Sequence, residues 1–369
     1  MAKPIGLGIV GCGHVMQNAY MPLVSSLANE GLVEVVAACD VKDEAAEMAR
    51  RRFGIPRFHA DYRDIARSDD VELVLVLTSM PEHGPITRAA LEAGKNVMVE
   101  KPMAVTLKEA GDLVALSNDC PGYLVCAPHV ILSPTYQAVW RHLRRGDVGR
   151  LNLARARYGW AGPTWGPWFY RSGGGPLFDL AVYNITSLTG WLGPAQRVMA
   201  MTGTAIPERL VEGEWLRVDT EDNYQILIDF GDAVFASVTS GFCMQKYRSP
   251  AIELYGSEGT IQMMGDDWAP EGYEIWQNDV GAWKVFGETA PQWRWTDGLR
   301  HLIDCINEGV APIIKPEHAY HVLEIMLEAI ESGRDGRDRQ IESTFTPPIF
   351  DLEEEVEAAH LVHDRAHST

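Results

Sequence analysis

The chain has 369 residues, which exceeds one ordinary hydrophobic core and predicts two domains of common size. Its formal net charge of −19 argues against nucleic acid or an anionic membrane surface as a partner, because both are polyanions. The six cysteines form no Cys-x-x-Cys pair, the first residues carry no long apolar signal region, and no apolar run approaches the roughly 18–20 residues that span a bilayer. We therefore expect a cytoplasmic protein that has no membrane partner.

The first third of the chain alternates short apolar runs with helical stretches, which is the rhythm of a parallel sheet. Strands are predicted at 5–10, 33–40, 71–78, 96–100 and 123–128, and helices at 23–28, 43–53, 86–93 and 107–117. Five such strands predict a doubly wound Rossmann domain over residues 1–128.

Beyond residue 128 the pattern changes to alternating strands joined by turn sequences. Strands are predicted at 151–158, 223–230, 233–240, 251–256 and 260–264, and helices at 139–143, 296–308 and 316–332. Residues 129–369 are thus predicted to form an α+β domain with a large, mostly antiparallel open sheet for substrate binding and oligomerisation. The acidic segment from about 351 is predicted to be a helix on the surface or packed back on the N-terminal domain.

A glycine turn follows the first strand directly. Gly11 and Gly13 lie where a dinucleotide pyrophosphate meets the amides of a helix N-terminus, and His14 and Val15 come next. The third glycine position of the GxGxxG motif holds Met16, which changes how closely the helix packs on the strand. A plain tight turn is the alternative for these glycines, and the acidic residue at the next strand end favours the dinucleotide.

That residue is Asp40, which could accept hydrogen bonds from the adenosine ribose, although it lies beyond the usual spacing of about 20 residues. Because a carboxylate repels a 2′-phosphate, NAD is favoured over NADP, and Lys42 nearby weakens that preference. A solvated acid at a strand end is the alternative. Thr78, Ser79 and His83 follow the third strand on the ligand side of a parallel sheet. We predict cofactor contacts for them, with packing as an equal alternative for His83.

Two further segments carry candidate chemistry. Glu100 and Lys101 close an apolar strand in a Glu-Lys-Pro turn, where a lysine is out of place unless it snorkels to the surface. Asp179 and Tyr183 are spaced to lie one helical turn apart, after three glycines that permit close approach to a ligand. A capping acid and a core aromatic are the alternatives for this pair.

An aromatic cluster precedes the three glycines. Trp165 and Trp168 belong to it, and flat aromatic faces suit the C–H faces of an uncharged pyranose, so we predict that both bind substrate. Core or interface packing explains the cluster equally well. No metal-ligand spacing appears, so no metal is predicted.

Several of these segments together resemble the Gfo/Idh/MocA oxidoreductase family over nearly the whole chain. The matching pieces are GIVGCGHV, Cys39-Asp40, TSMPEHGPITRAALEAGKNVMVEKPMAVTLKEA, SPTYQAVWRHLRRGDVGRL and GGGPLFDLAVYNITSLTGWLG. The resemblance implies that Lys101 contacts the substrate hydroxyl and the nicotinamide, and it places the family's Asp-x-x-x-His pair on Asp179 and Tyr183. Tyrosine at the histidine position is similar to the glucose-fructose oxidoreductase and dimeric dihydrodiol dehydrogenase branches. A homo-oligomer, either a dimer or a tetramer, is also implied.

Hydride removal from a secondary alcohol needs a group that takes the hydroxyl proton. A tyrosine with its ordinary pKa near 10 is a poor base at neutral pH. We therefore hypothesise that Tyr183 transfers the proton, that Lys101 lowers the pKa of Tyr183 and polarises the substrate oxygen, and that Asp179 orients the substrate.

These predictions describe an NAD-dependent oxidoreductase that acts on a CH–OH group of a sugar, sugar derivative or cyclic polyol. Three alternatives stay open. The enzyme could be redox-neutral and cleave or epimerise a glycoside on tightly held NAD. It could be a reductase that prefers aromatic diols, or a non-catalytic NAD-binding regulator.

Overall fold

In the computed structural model, residues 3–248, 250–352 and 360–361 are described, and the chain forms two compact units. The first unit ends at His129 and also contains Thr296–Tyr320, while the second contains Val130–Trp295 and the chain from His321 onward. The sequence placed Thr296–Tyr320 in the second domain. It joins the first because its helix buries an apolar face that includes Leu299 and Leu302 and because Arg300 forms a 2.7 Å ion pair with Glu30.

The first unit contains a six-stranded sheet in the order β3-β2-β1-β4-β5-β6, in which all neighbouring strands are parallel. The strands are β1 (Ile5–Val10), β2 (Val33–Cys39), β3 (Phe58–His59), β4 (Leu73–Val76), β5 (Asn96–Val99) and β6 (Leu124–Cys126). The helices are α1 (Met21–Asn29), α2 (Asp43–Phe53), α3 (Tyr62–Arg67), α4 (Met80–Glu92), α5 (Leu107–Asp119) and, later in the chain, α8 (Gly298–Glu308). The predicted Rossmann architecture is confirmed, with the two-residue β3 as an additional edge strand.

The second unit contains a ten-stranded sheet in the order β17-β8-β11-β12-β7-β13-β14-β15-β16-β18. Its strands are β7 (Leu151–Gly159), β8 (Arg197–Gly203), β11 (Asn223–Asp229), β12 (Phe235–Gly241), β13 (Ile252–Gly256), β14 (Gly259–Asp266), β15 (Ala269–Gln277), β16 (Ala282–Gly287), β17 (Arg339–Gln340) and β18 (His360–Leu361). Neighbours pair antiparallel except β7 with β12, which are parallel. The predicted large, mostly antiparallel sheet is therefore confirmed.

Three helices and a small hairpin complete the second part of the chain. The helices are α6 (Pro134–Arg145), α7 (Val182–Leu192) and α9 (Pro316–Asp335), and the hairpin pairs β9 (Glu208–Val211) with β10 (Glu214–Arg217). The helix predicted from about 351 falls largely on 353–359 and 362–369, which lie outside the described residues. Within it, His360–Leu361 is instead a strand that pairs with Val285 and Phe286 of β16.

Each central strand of the large sheet has one buried face and one exposed face. In β11, Tyr224, Ile226 and Ile228 are each 1% exposed, whereas Leu227 is 59% exposed. This alternation follows from the two-residue period of a strand and places α7 and the core on one side of the sheet. The opposite face carries apolar side chains into solvent.

A separate apolar cluster connects the loop before α7 with the β9–β10 hairpin. Phe169, Tyr170, Val211 and Phe242 are buried members of it. Arg209 of β9, which is 9% exposed, stabilises the cluster through a 3.0 Å ion pair with the fully buried Asp222. Its guanidinium also donates to the carbonyl oxygens of Ala161 and Phe242. The loop that carries the aromatic residues is therefore a packed structure rather than a free flap.

Among the described residues, no helix combines the length and apolar character that crossing a bilayer requires.

Candidate functional site

The glycine turn after β1 shows why glycine is present at two positions. Gly11 has φ +96, and a Cβ there would lie 2.6 Å from the carbonyl carbon of Leu77, so a larger residue is excluded. A Cβ on Gly13 would meet no atom within 4 Å, which leaves open space at the helix entry. Met16 is fully buried and begins a π-helical turn, Met16–Tyr20, that leads into α1. The residue at the third glycine position of the motif is thus part of the hydrophobic core in this chain.

Asp40 lies beside this turn and is held by two backbone amides. Its Oδ2 accepts from the Cys12 N–H at 2.8 Å, and its Oδ1 accepts from the Lys42 N–H at 2.9 Å. Each carboxylate oxygen keeps a further lone pair for a hydroxyl donor. His14 and Val15 are exposed at the same helix entry. This geometry suits the ribose and pyrophosphate of a dinucleotide.

Thr78, Ser79 and His83 lie at the end of β4 and the start of α4. The Oγ1 atom of Thr78 is buried without a hydrogen-bond partner among the described residues, while Ser79 is exposed at the cap of α4. His83 is 1% exposed, and its Nδ1 and Nε2 lie 2.7 Å and 3.0 Å from the carbonyl oxygens of Pro102 and Thr78. Burial lowers the pKa of His83, and its ring lies between carbonyl oxygens of two loops, of which a neutral imidazole donates to one.

The Glu-Lys-Pro turn leaves the end of β5 with its glutamate directed inward. The Glu100 carboxylate is 7% exposed and accepts from the Tyr20 hydroxyl at 2.7 Å and from the Lys101 N–H at 3.2 Å. Lys101 is half-buried, and the peptide bond to Pro102 is cis. Glu100 therefore anchors the turn that presents Lys101.

In the second unit, the glycine loop leads into Asp179 and Tyr183. Gly175 has φ +94, and a Cβ on Gly174 would lie 2.5 Å from the Trp168 carbonyl oxygen, so both positions require glycine. The sequence predicted one regular helix here, but residues Leu177–Ala181 form a wider π-helical turn before α7. Such turns are frequent at functional sites.

Asp179 and Tyr183 are both neighbours of Tyr158, at the end of β7. The rings of Tyr158 and Tyr183 meet edge-to-face with centroids 6.0 Å apart. Burial raises the pKa of Tyr158 well above its usual value, and the nearby acidic groups, Tyr183 and Asp179 among them, raise it further. Tyr158 is therefore a protonated hydrogen-bonding group beside the two predicted site residues.

Tyr158 also forms part of the wall of a cavity of about 510 Å³. The described residues that line the cavity lie on three separate segments of the second unit: Tyr158, Gly159, Trp160, Ala161, Gln245, Lys246, Tyr247, Asp266 and Trp268. The Tyr247 hydroxyl donates to Asp266 Oδ1 at 2.6 Å, and the indole Nε1 of Trp268 is buried without a partner among the described residues. The cavity thus combines aromatic faces with hydrogen-bond donors and acceptors.

Trp165 and Trp168, which the sequence singled out for substrate, do not appear among these lining residues. Trp165 packs beside Trp160 with centroids 5.7 Å apart, and Trp168 stacks on Phe169 at 3.7 Å. Both are about two-fifths exposed. Trp165 therefore packs against a lining residue, and any contact that Trp165 or Trp168 makes with a substrate stays a prediction.

A buried carboxyl connects the cavity wall to α7. Asp267 is 1% exposed, and its Oδ2 accepts from Asn184 Nδ2 at 3.0 Å and from Ser187 Oγ at 3.2 Å. Desolvation raises the pKa of Asp267 to about 7, with a smaller contribution from the neighbouring Asp266 charge. Because Asn184 directly follows Tyr183, Asp267 helps to position the helix that carries it.

Several of these residues had no local signal in the sequence. Tyr158, Tyr247, Asp266 and Trp268 come from strands and turns that are distant along the chain, and only folding brings them to one cavity. Of these four residues, only Tyr158 had a local signal, as an aromatic residue at the end of a predicted strand.

In the described part of the chain, no group of three or more His, Cys, Asp or Glu side chains could hold a metal ion.

Two sequence profiles match the chain, one for each part. The profile described as "Oxidoreductase family, NAD-binding Rossmann fold" covers residues 5–120, and the "GFO/IDH/MocA C-terminal domain" covers residues 136–262. The chain belongs to the Gfo/Idh/MocA oxidoreductase family. It is therefore an oxidoreductase, and its first unit is an NAD-binding Rossmann domain.

Individual relatives share about a quarter of their residues with this chain. The trans-1,2-dihydrobenzene-1,2-diol dehydrogenase of Bos taurus is 25% identical over 349 residues, covering 88% of this chain and 96% of that protein. The levoglucosan dehydrogenase of Pseudarthrobacter phenanthrenivorans is 28% identical over 279 residues, with 70% and 71% covered. A structure of levoglucosan dehydrogenase in complex with NADH has a TM-score of 0.81 at 21% identity, covering 92% of this chain and all of that one. The structural likeness shows a shared fold.

The residues at the first unit's ligand edge fit NAD. Gly13 leaves room for a pyrophosphate, Asp40 offers acceptor lone pairs for ribose hydroxyls, and Thr78 has a buried hydroxyl without a partner. These three are the residues that the geometry favours for holding the cofactor.

Proposed function

We propose that this protein is an NAD-dependent dehydrogenase that transfers a hydride between nicotinamide and a secondary hydroxyl or carbonyl of a sugar, sugar derivative or cyclic polyol. The observation that carries the proposal is the contact of Tyr183 with Tyr158, which lines a cavity, in a chain whose other unit binds NAD. The aromatic lining of the cavity suits the C–H face of a saturated ring of the substrate, and its carboxylate and indole N–H suit the hydroxyls of such a ring. The substrate is a small molecule.

The site roles follow from the chemistry of each side chain. When bound, NAD supplies the carbon that accepts the hydride. Tyr183 takes the proton of the reacting hydroxyl, and the ammonium of Lys101 favours the tyrosinate and polarises the same oxygen. Asp179 accepts hydrogen bonds from neighbouring substrate hydroxyls. Tyr158, which stays protonated, serves as a fixed donor next to them.

The surroundings of Tyr183 support its role as the residue that takes the proton. Tyr183 is 7% exposed at the start of α7, and Tyr158 packs edge-on against it. A buried hydroxyl that exchanges a proton with substrate must be shielded from water but must reach the ligand. Tyr158 provides part of that shield.

The decisive experiment measures absorbance at about 340 nm, where NADH absorbs, while the purified protein and NAD are supplied with pyranosides, inositols and diols. A rise with particular members establishes hydride transfer and identifies the substrate class. No rise with any member, with NAD binding confirmed by a change in protein fluorescence, contradicts the proposal and favours a redox-neutral cycle or a regulator.

A second candidate is a dehydrogenase of aromatic diols, because the relatives that cover 88% of this chain include trans-1,2-dihydrobenzene-1,2-diol dehydrogenase. The cavity's aromatic faces would accept a flat ring as well. The same assay separates the two candidates, since trans-1,2-dihydrobenzene-1,2-diol and an uncharged pyranoside are compared at equal concentration. A preference for the sugar supports the first candidate, and a preference for the dihydrobenzene diol supports the second.

We also infer that the protein is a homo-oligomer that assembles through the exposed face of the large sheet. Leu153, Met199, Met201, Leu227 and Phe235 are 43–78% exposed there. The strand register pairs Phe235 with Leu153 and Leu227 with Met199, so the apolar side chains are contiguous. A patch of this kind marks an interaction surface.

A location in the reducing cytoplasm is supported by the six cysteines, which are all free thiols.

A further inference from the structure

The cavity of the second unit lies beyond the proposed reacting position, with Tyr158 between them. Tyr158 lines the cavity on one side and contacts the ring of Tyr183 on the other. Neither Tyr183 nor Asp179 is among the described residues that line the cavity. A group held in the cavity is therefore a neighbour of the ring that reacts at Tyr183 and is distinct from it.

Aromatic side chains form much of the lining of the cavity. The rings of Tyr158 and Trp268 are stacked, with an angle of 19° between them and centroids 6.1 Å apart, and Trp160 also lines the cavity. Such a surface binds the C–H face of a saturated six-membered ring by excluding water from both.

The polar groups of the cavity favour a ligand rich in hydroxyls. Asp266 accepts one hydrogen bond, from Tyr247, which orients the carboxylate and leaves lone pairs on both oxygens for two adjacent hydroxyl donors. Trp268 Nε1 is buried and has no partner among the described residues, so it lacks an acceptor that a hydroxyl oxygen would supply. The acidic Asp266 disfavours a phosphate or carboxylate at this position.

We propose that this cavity binds a second, non-reacting pyranose ring, so that the preferred substrate is a disaccharide or another glycoside whose neighbouring ring is oxidised at Tyr183. The inference rests on the proposed function. A cavity of about 510 Å³ falls in the size range of small-molecule sites, about 300–1,000 Å³. The exposed side chains of Gln245 and Lys246 lie at its rim and supply further donors.

The first test compares kcat/KM for NAD reduction with disaccharides of glucose, galactose and mannose against the methyl glycosides of the same sugars. We expect at least one disaccharide to exceed its methyl glycoside by about 10-fold or more, which corresponds to one or two additional hydrogen bonds. Equal values throughout the panel overturn the proposal.

Variants of the cavity locate the effect. Asp266→Asn and Trp268→Phe each remove one polar group with little change of shape, and we expect each to reduce the disaccharide-to-methyl-glycoside ratio by about 10-fold. Tyr247→Phe, which removes only the hydroxyl that orients Asp266, provides a third variant if either of these fails to fold. Asp279→Asn changes an exposed carboxyl in the turn after β15 and serves as the matched control. If none of the cavity variants changes this ratio, the proposal is overturned.

A binding measurement without NAD separates this inference from the proposed function. Trp160 and Trp268 line the cavity, so their fluorescence should change when a disaccharide binds. If no sugar reduces NAD but a disaccharide still binds saturably and Asp266→Asn abolishes the signal, the dehydrogenase proposal fails and the second-ring site stands. If methyl glycosides reduce NAD and disaccharides neither bind nor react better, the second-ring site fails and the dehydrogenase proposal stands.

Discussion

Two tyrosines in contact, Tyr158 and Tyr183, have different chemical tasks because their surroundings differ. Tyr158 is driven toward its neutral form by burial and by the acidic groups around it, including Asp179 and Asp267. Such a group donates a hydrogen bond but does not accept a proton at neutral pH. We therefore propose Tyr183, rather than Tyr158, as the proton acceptor, with Lys101 assisting it.

Tyr183→Phe and Lys101→Ala are each expected to lower kcat by about 10²–10⁴-fold, because each removes a group that moves or stabilises the transferred proton. The dissociation constant for NAD, measured by fluorescence titration, should change little. Tyr255→Phe and Lys108→Ala replace the same residue types away from the proposed site and should retain full turnover. Near-normal kcat in Tyr183→Phe or Lys101→Ala would refute the assignment of that residue.

The carboxylate of Asp40 is predicted to select the cofactor. Asp40→Ser removes the acceptor for ribose hydroxyls and the charge that repels a 2′-phosphate, so we expect NAD to bind about 10-fold more weakly and the NAD-to-NADP affinity ratio to fall. Calorimetric titration with both cofactors measures the ratio. Asp69→Ser, at an exposed position of the same unit, is the control. An unchanged ratio in Asp40→Ser would show that Asp40 does not contact the ribose.

At the scale of elements, α7 is held to the turn between β14 and β15 by a buried polar group. Asp267 accepts hydrogen bonds from Asn184 and Ser187, both on α7, and its other oxygen is buried without a partner among the described residues. Burial of a carboxyl with an unpartnered oxygen costs less free energy when the carboxyl is protonated and neutral. This agrees with the direction in which burial moves the pKa of Asp267.

This contact predicts a pH dependence of stability. The pKa of Asp267 is raised from 3.8 to about 7 on folding, so the unfolded chain binds fewer protons between these values and stability falls as pH rises through that window. Asp267→Asn keeps the shape and removes the titration. We expect the free energy of unfolding of the variant, relative to the wild type, to increase by about 2–3 kcal/mol between pH 5 and pH 8.

Chemical denaturation at several pH values measures that difference. Asp279→Asn, which changes an exposed carboxyl of the same unit, is the matched control and should show a much smaller trend. A difference between wild type and Asp267→Asn that is constant with pH would mean that Asp267 has an ordinary pKa.

For the whole molecule, the main feature is the exposed apolar face of the large sheet, which the described residues of the same unit do not cover. The strand period makes one face of β11 buried and leaves Leu227 in solvent, and neighbouring strands repeat the pattern. Covering such a face with a second copy of the same face removes apolar surface from water and satisfies two-fold symmetry.

We expect light scattering after size exclusion to give a mass that is an even multiple of the chain mass. Leu227→Lys places a charge in the centre of the face and should reduce the mass by half or more at the same concentration. Val41→Lys, at an exposed apolar residue of the first unit, should leave the mass unchanged. A wild-type protein that elutes as a monomer would contradict the proposed assembly.

Local patterns in the chain were sufficient for the Rossmann unit and insufficient for much of the second unit. The helix Asp43–Phe53 was predicted with the bounds that the structure has, because its apolar spacing and flanking residues are local signals. Strand β15 was missed because it contains Pro270 and Gly272, which are uncommon in strands, and α4 begins at Met80 rather than 86 because Pro81 is tolerated in a first helical turn.

Motifs of adjacent residues were sufficient to predict the fold class and the family and to nominate Lys101, Asp179 and Tyr183, because such motifs are local in the chain. Which side chains form the cavity depends on folding. Tyr158, Tyr247, Asp266 and Trp268 come together because β7, β12 and β14 are far apart in the chain but run in the same direction and end at one edge of the sheet. A pattern with a period of two residues predicts which face is buried, but it does not predict which strands are neighbours.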